Sequence, residues 1–141
     1  KLNPKYPDAY FNRGLIYKNI GRYDSAIRDF TRAIKLNPNY IEAYYNRGLS
    51  FKNKGQYDDA IKDYNRAIKL NPNYVEAFYN RGFAYDNKGE YKKAIEDYNK
   101  AIQLNPNYAE VYYSRGIIYL ILGKVSEAEK DFEKAKELEK K

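Results

Sequence analysis

Arginine and aspartate recur in this chain at a constant separation, and the pair itself recurs along the sequence. An Arg stands at every 34th position from 13 to 115, and an Asp follows each of them sixteen residues later. A guanidinium presents a planar fork of donors that fits a carboxylate, and a charge buried between helices needs such a partner. The spacing predicts four structural ion pairs: Arg13–Asp29, Arg47–Asp63, Arg81–Asp97 and Arg115–Asp131. An anion site on the Arg row is the alternative interpretation.

Carboxamides form a second periodic set. One row contains Asn12, Asn46 and Asn80, followed by Ser114, and a second row contains Asn19, Asn53 and Asn87, followed by Ile121. A carboxamide has both a donor and an acceptor, so it can pair with the N–H and the C=O of a peptide group. Solvent-facing amides at a regular spacing could therefore hold an extended peptide by its main chain. The alternative is that Asn is merely tolerated on solvated helix faces of an Asn-rich chain.

The residue types needed for catalysis are largely missing. The chain has no His and no Cys, which removes the commonest general base, the thiolate nucleophile and the usual metal ligands. It has no Gly-rich phosphate loop followed by Lys and Ser or Thr, and every acid recurs with the period or falls on a solvated helix. We therefore expect no enzyme activity, no cofactor and no metal.

Composition and charge set wider limits. The 141 residues include 18 Tyr and 6 Phe, with no Trp or Met, which suits a thin structure in which ring hydroxyls reach its edge. A net charge of +7 permits contact with nucleic acid or an anionic surface without showing it. The sequence has no long apolar run that would predict a membrane span, and it has no signal-peptide pattern. We expect a cytoplasmic protein, since a chain without Cys is compatible with a reducing compartment.

A 34-residue unit, repeated about four times, must position these side chains. In the second unit, Glu42 to about Lys54 has helical spacing of apolar residues, and Gly55 ends that helix because Gly enters the left-handed cap without steric cost. Ala60, Ile61, Tyr64, Ala67 and Ile68 form the stripe of a second helix, which Asn71-Pro72-Asn73 ends. Each unit is thus predicted to be two antiparallel helices, giving eight helices and no sheet.

These residues resemble the tetratricopeptide repeat family over nearly the whole chain. The family pattern of aromatic, Gly, Ala and Pro positions is met in the third unit by Phe78, Gly82, Tyr85, Gly89, Tyr91, Ala94, Tyr98, Ala101 and Pro106. Two features depart from it. The family usually has Leu where this chain has its Arg row, and the last unit has Lys124-Val125 where Tyr is usual after the second Gly.

The resemblance implies an all-α fold, a right-handed superhelical solenoid of four antiparallel helix-turn-helix repeats of 34 residues. We expect residues 1–6 to be the tail of a preceding repeat, so that the chain begins inside a longer array. The four repeats are then expected at 7–40, 41–74, 75–108 and 109–141, the last with a charged C-terminal helix end that reads as an edge of the stack.

The resemblance also places the first helices on the concave face of the superhelix, where the family binds peptides. The positions that would line this groove are Phe11, Asn12, Leu15, Asn19, Tyr45, Asn46, Leu49, Asn53, Tyr79, Asn80, Phe83 and Asn87. The amide rows are similar to the asparagine ladder of the O-GlcNAc transferase superhelix, where Asn at this position binds peptide backbone. The carboxylate clamp of chaperone-binding members fails here, because Phe11, Leu15 and Glu76 stand where the clamp needs Lys, Asn and Lys.

Three hypotheses about partners follow. The first is a protein-interaction module that binds a peptide segment of a partner in the groove. The second is a self-assembly segment associating through the chain ends, suggested by the apolar stretch Ile117, Ile118, Leu120, Ile121 and Leu122. The third is anion or RNA binding by second-helix cations, a minor alternative because the groove carries acids and amides instead of the cations and stacking rings of RNA readers.

Overall fold

The computed structural model describes residue 3 and residues 5–141, and every regular element among them is an α-helix. The helices are α1 Pro7–Asn19, α2 Tyr23–Leu36, α3 Ile41–Asn53, α4 Tyr57–Leu70, α5 Val75–Asn87, α6 Tyr91–Leu104, α7 Ala109–Ile121 and α8 Val125–Glu139. The predicted all-helical fold of helix-turn-helix pairs is confirmed in this part of the chain. The predicted tail of a preceding repeat includes Lys1, Leu2 and Pro4, which lie outside the described residues.

A glycine in the left-handed conformation separates the two helices of each pair. Gly55 has φ +76°, and its N–H and that of Gln56 bond back to the carbonyls of Lys52 and Phe51 at the end of α3. A residue with a Cβ is strained at such a φ, so glycine permits the tight reversal there. The predicted break of the helices at Gly21, Gly55 and Gly89 is confirmed.

Unit 1, which ends at Pro72, contains α1 to α4. Within it α1 packs on α2, α2 on α3, and α3 on α4. Gly48 is buried and leaves space for the Tyr64 ring, which is itself fully buried, and Ala60 on α4 is fully buried as well. The small residues thus let the paired helices approach until an aromatic ring fills the gap between them.

Unit 2, Asn73–Lys141, repeats this construction with α5 to α8. Here α5 packs on α6, α6 on α7, and α7 on α8, around the buried side chains of Tyr98, Val111 and Ile118. Gly82 and Gly116 lie against Tyr98 and Phe132 as Gly48 lies against Tyr64. Among the described residues, no helix is both long enough and apolar enough to span a membrane.

Candidate functional site

Each predicted Arg–Asp pair lies within salt-bridge distance and joins the two helices of one pair. Arg47 donates from Nε to Asp63 Oδ2 at 2.9 Å and from Nη2 to Asp63 Oδ1 at 2.7 Å. The other three pairs have the same bidentate geometry, and all four carboxylates are buried. Because the guanidinium fork is filled by a buried carboxylate, the Arg row stabilises the repeat and is poorly placed to bind an external anion.

Arg47 and Arg115 also contact a third helix. Arg47 Nη1 donates to Thr31 Oγ1 at 3.1 Å, and Arg115 Nη1 donates to Asn99 Oδ1 at 2.7 Å. Both acceptors stand sixteen residues before the Arg, so their positions follow the same period as the ion pairs. Burial raises the pKa of Asp63, and the hydrogen bonds and charge of Arg47 oppose that rise. Arg47 therefore stabilises the folded state, because a buried Asp63 carboxylate without a partner would lower the free energy of unfolding.

The first helices of unit 1 share a partly exposed face, which we call the unit 1 face. Positions separated by four, seven and eight residues lie on one side of a helix, and these are Phe11, Leu15, Lys18 and Asn19 on α1 and Tyr45, Leu49, Lys52 and Asn53 on α3. Phe11 packs against the Tyr40 ring at 4.9 Å between centroids, and Tyr45 against the Tyr64 ring at 6.0 Å. The unit 1 face therefore contains two apolar rings, each held by a neighbouring ring, among polar side chains.

The first amide row is largely occupied by internal hydrogen bonds. Asn46 donates from Nδ2 to the Glu42 carbonyl at 2.8 Å, and its Oδ1 accepts from Lys18 Nζ at 2.7 Å. Asn80 is only 6% exposed and donates to the Glu76 carbonyl at 2.9 Å. The expectation that this whole row faces solvent is therefore wrong at Asn80, whose side chain is buried. Asn12 remains exposed.

The second amide row is the more accessible one. Asn19, Asn53 and Asn87 are exposed and lie in the last turn of their helices. Asn87 donates to the Phe83 carbonyl at 2.9 Å, whereas no hydrogen bond of the Asn19 or Asn53 side chain is found within residues 5–141. In unit 1 these two amides are therefore available to a ligand.

The first helices of unit 2 carry different chemistry at the same positions, and we call this the unit 2 face. It consists of Tyr79, Phe83, Asp86 and Asn87 on α5 and Tyr113, Ile117, Leu120 and Ile121 on α7. Tyr79 packs between the rings of Tyr98 and Tyr108, with centroids 5.8 and 5.2 Å away. The four α7 side chains are 37–56% exposed, whereas Ile118 is fully buried. The apolar stretch noted in the sequence is thus mostly surface.

The unit 1 face also contains a pair of lysines, which neither the Arg row nor the amide rows indicated. Lys18 and Lys52 are half-buried in the last turns of α1 and α3, and their 34-residue separation was the available signal. Burial lowers the pKa of Lys18, and burial together with the nearby charge of Lys18 lowers the pKa of Lys52. The face therefore has a cationic end.

Acids occupy the opposite end of the same helices. Asp8 and Glu42 lie exposed in the first turns of α1 and α3, where they favour the helix dipole. The Tyr40 hydroxyl donates a hydrogen bond to Asp8 Oδ1 at 2.7 Å.

The second helices carry most of the remaining positive charge, and most of these side chains are exposed: Arg28, Arg32, Lys35, Lys62, Lys69, Lys92 and Lys93.

Comparisons with known proteins agree with this architecture. A tetratricopeptide repeat model matches residues 7–40 and 75–108, a second such model matches residues 30–62 and 97–130, and a TPR repeat model matches residues 50–89. No match was found among curated protein sequences.

Solved structures give a closer likeness. The chain is 36% identical to the protein in a crystal structure of MamA, with a TM-score of 0.94 over 98% of this chain and 81% of that one. It is 28% identical to MamA 41-end from Desulfovibrio magneticus RS-1, with a TM-score of 0.91 over 96% and 77% of the two chains. Phased glycines, paired helices and these matches together show that the chain belongs to the tetratricopeptide repeat family.

Proposed function

We propose that this protein is a non-enzymatic interaction module that binds an extended peptide segment of a partner protein along the first helices α1 and α3. The fold and the family support a protein-interaction scaffold of a kind that is typically without catalytic activity. The observation that carries the finer proposal is the unit 1 face, where the exposed amides of Asn19 and Asn53 lie beside the half-buried rings of Phe11 and Tyr45.

The two parts of this face contribute in different ways. An amide that makes no internal hydrogen bond can exchange water for a peptide N–H or C=O without breaking a protein contact. Rings already held by Tyr40 and Tyr64 lose little freedom when a ligand covers them, so their remaining burial adds affinity. Main-chain pairing gives tolerance of ligand sequence, and the rings give the preference for apolar side chains.

The test is selection of random 12-residue peptides on the wild-type protein, followed by affinity measurements. The double change Asn19→Ala and Asn53→Ala should weaken a selected peptide by about tenfold, since each lost hydrogen bond is worth about 0.5–1.5 kcal/mol. Asn39→Ala with Asn107→Ala is the matched control, because both side chains are exposed in turns outside the helices. Equal loss in both variants, or no loss, would contradict the proposal.

The first amide row needs a different control variant. Replacing Asn12, Asn46 and Asn80 together by Ala would remove the internal bonds of Asn46 and Asn80, so weaker binding would be accompanied by lower stability. Asn12→Ala alone is the cleaner variant for that row because Asn12 is exposed.

A second candidate function, self-association, is favoured by one observation. On α7 the neighbouring side chains of Tyr113, Ile117, Leu120 and Ile121 are exposed together, and an exposed apolar patch often marks an interface. Sedimentation at roughly 50 µM, a concentration that would populate a micromolar dimer, tests this. An oligomer that dissociates with Leu120→Lys and Ile121→Lys would support it, and a wild-type monomer would exclude it.

A further inference from the structure

Lys18 and Lys52 occupy the same register position in successive first helices of unit 1. Both side chains are half-buried, and Lys18 Nζ lies 2.7 Å from Asn46 Oδ1, an uncharged acceptor. The amide that holds Lys18 is itself fixed by its bond to the Glu42 carbonyl. The ammonium group of Lys18 is therefore positioned on the face by two successive hydrogen bonds, instead of moving freely in solvent.

This arrangement places two like charges near each other. The charge of Lys18 acts on Lys52, and burial lowers the pKa of both groups, so each ammonium is less well solvated than an exposed lysine. Like charges on a partly dehydrated face repel each other, and a bound anion would relieve that repulsion. A carboxylate bound beside both ammonium groups would favour their charged forms.

The repeats themselves provide a comparison. Asp86 and Leu120 stand at the same position in unit 2, so the cationic end belongs to the unit 1 face alone. At the other end of the same helices lie Asp8 and Glu42. Asp8 is about 15 Å from Lys18 along the helix axis at a rise of about 1.5 Å per residue. An anionic group is thus attracted to one end of the face and repelled from the other.

We propose that Lys18 and Lys52 form a subsite for the carboxylate of an internal Asp or Glu side chain in the peptide bound on the unit 1 face. This inference rests on the proposed function and adds a ligand class to it. The exposed amides of Asn19 and Asn53 follow directly in sequence, so the same peptide segment meets cations and amides together. The rings of Phe11 and Tyr45 are packed against the buried rings of Phe30 and Tyr64, and acids lie at the other end of the same helices, which favours a peptide over a nucleic acid.

The experiment compares peptide selection on the wild-type protein and on the variant Lys18→Gln, Lys52→Gln. Peptides are random 12-residue segments with acetylated and amidated ends, so that no terminal carboxylate contributes. Asp and Glu should be enriched by the wild type and not by the variant. A selected acidic peptide should bind the variant at least about tenfold more weakly, whereas its counterpart with Asn and Gln should bind both proteins alike.

Three controls make the result specific to this site. Lys62→Gln with Lys69→Gln changes the net charge equally on exposed second-helix positions and should leave the acid preference intact. Lys18→Arg with Lys52→Arg keeps both charges and should retain the preference, which also covers the case in which the Gln variant does not fold. Increasing salt should reduce the difference between the acidic and the neutral peptide.

The outcomes separate this inference from the proposed function. If peptides are selected and depend on Asn19 and Asn53 without any acid preference, the subsite is refuted and the proposed function stands. If no peptide is selected, both fail. If a 12-residue oligouridylate binds more tightly than the acidic peptide and loses binding in the Gln variant, the ligand is a nucleic acid and the assignment to an acidic peptide is overturned.

Discussion

At the scale of single residues, one core position distinguishes the repeats. The ring that packs against the first-helix glycine belongs to Phe30, Tyr64, Tyr98 or Phe132, and all of them lie close to the glycine backbone. The Tyr64 ring is fully buried and its hydroxyl has no hydrogen-bond partner. A buried hydroxyl without a partner loses its hydration without compensation. Phe serves the same position in two other repeats of this chain.

Tyr64→Phe should therefore leave the free energy of unfolding unchanged or raise it by about 1 kcal/mol, since it removes an unpaired buried polar group. Tyr44→Phe is the contrasting variant, because the Tyr44 hydroxyl donates to the Pro38 carbonyl at 2.9 Å. It should lower stability by about 0.5–1.5 kcal/mol. Urea denaturation of the two variants measures this, and a clear loss of stability in Tyr64→Phe would show that its hydroxyl is satisfied in solution.

Asp86 gives a prediction about pH. Burial raises the pKa of this carboxyl above its ordinary value of 3.8, so the folded protein holds the proton more tightly than the unfolded chain. Ionisation of Asp86 then opposes folding: the cost is absent below the unfolded pKa, grows as pH rises from the unfolded to the folded pKa, and is complete above the folded pKa. Asp86→Asn should raise the melting temperature at pH 7 and not at pH 3.

The control for that comparison is Glu96→Gln, which makes the same charge change at an exposed position. It should not reproduce the pH-dependent difference. Thermal melts recorded by circular dichroism at both pH values are sufficient, and a gain for Asp86→Asn that is equal at pH 3 and pH 7 would exclude ionisation as its cause.

At the scale of elements, close approach within each helix pair depends on the absence of a side chain. A Cβ added at Gly48 would lie 2.6 Å from Tyr64 Cε1, whereas one added at Gly55 would have no atom within 4 Å. The same residue type thus serves two purposes. Gly48 permits helix contact, and Gly55, at φ +76°, permits the turn.

Gly48→Ala should destabilise the protein by about 1–3 kcal/mol through overpacking. Gly55→Ala should cost about 1–2 kcal/mol through backbone strain alone. The two mechanisms are separated by repeating each change in a Tyr64→Leu background, where the cost of Gly48→Ala should fall and that of Gly55→Ala should not. If both costs stay constant, contact with the Tyr64 ring does not explain the need for Gly48.

The ion pairs between paired helices differ in burial, and this gives a comparative prediction. The Arg47 side chain is 20% exposed and that of Arg13 is 44% exposed, although both bind a buried carboxylate. Removing Arg47 alone leaves Asp63 buried and unpaired, at a cost of about 3–5 kcal/mol. Double-mutant cycles with Ala should show stronger coupling for Arg47–Asp63 than for Arg13–Asp29. Equal coupling would mean that solvent screens both pairs alike.

At the scale of the whole molecule, stability is expected to vary along the chain. In linear repeat arrays stability is approximately a sum of terms for single repeats and for their neighbour interfaces. Ile16 on α1 is 61% exposed, whereas Ser50 at the same register position on α3 is fully buried. The first helix pair therefore has less of its surface covered than the second.

Native-state hydrogen exchange should accordingly be fastest in residues 8–36, and denaturant unfolding should depart from a two-state transition. Local opening free energies read from exchange rates measure this directly. Uniform protection from α1 to α8, or fastest exchange in the well-packed α3 and α4, would contradict it.

The helices, turns and close helix contacts could be predicted from the sequence because the same residue types recur at the same positions in each repeat. Gly at the turn, Gly and Ala at close contacts, and Pro after the second helix act through backbone conformation and side-chain size, which are properties of the residue itself. The spacing of Arg47 and Asp63 also predicted a contact that the structure shows at 2.7 Å. Helical periodicity alone was sufficient to place these residues on facing sides.

Tertiary structure determined which side chains of the candidate site remain exposed and which are held by internal hydrogen bonds. Asn46 and Asn53 are the same residue type on the same helix, yet one is held by Glu42 and Lys18 and the other is exposed without such contacts. Asn80 is buried at the position where Asn12 is exposed. Periodicity fixes which side of a helix a residue occupies. Its hydrogen-bond partners and its remaining exposure depend on how closely the neighbouring helix packs, and that distance is set by side chains remote in sequence.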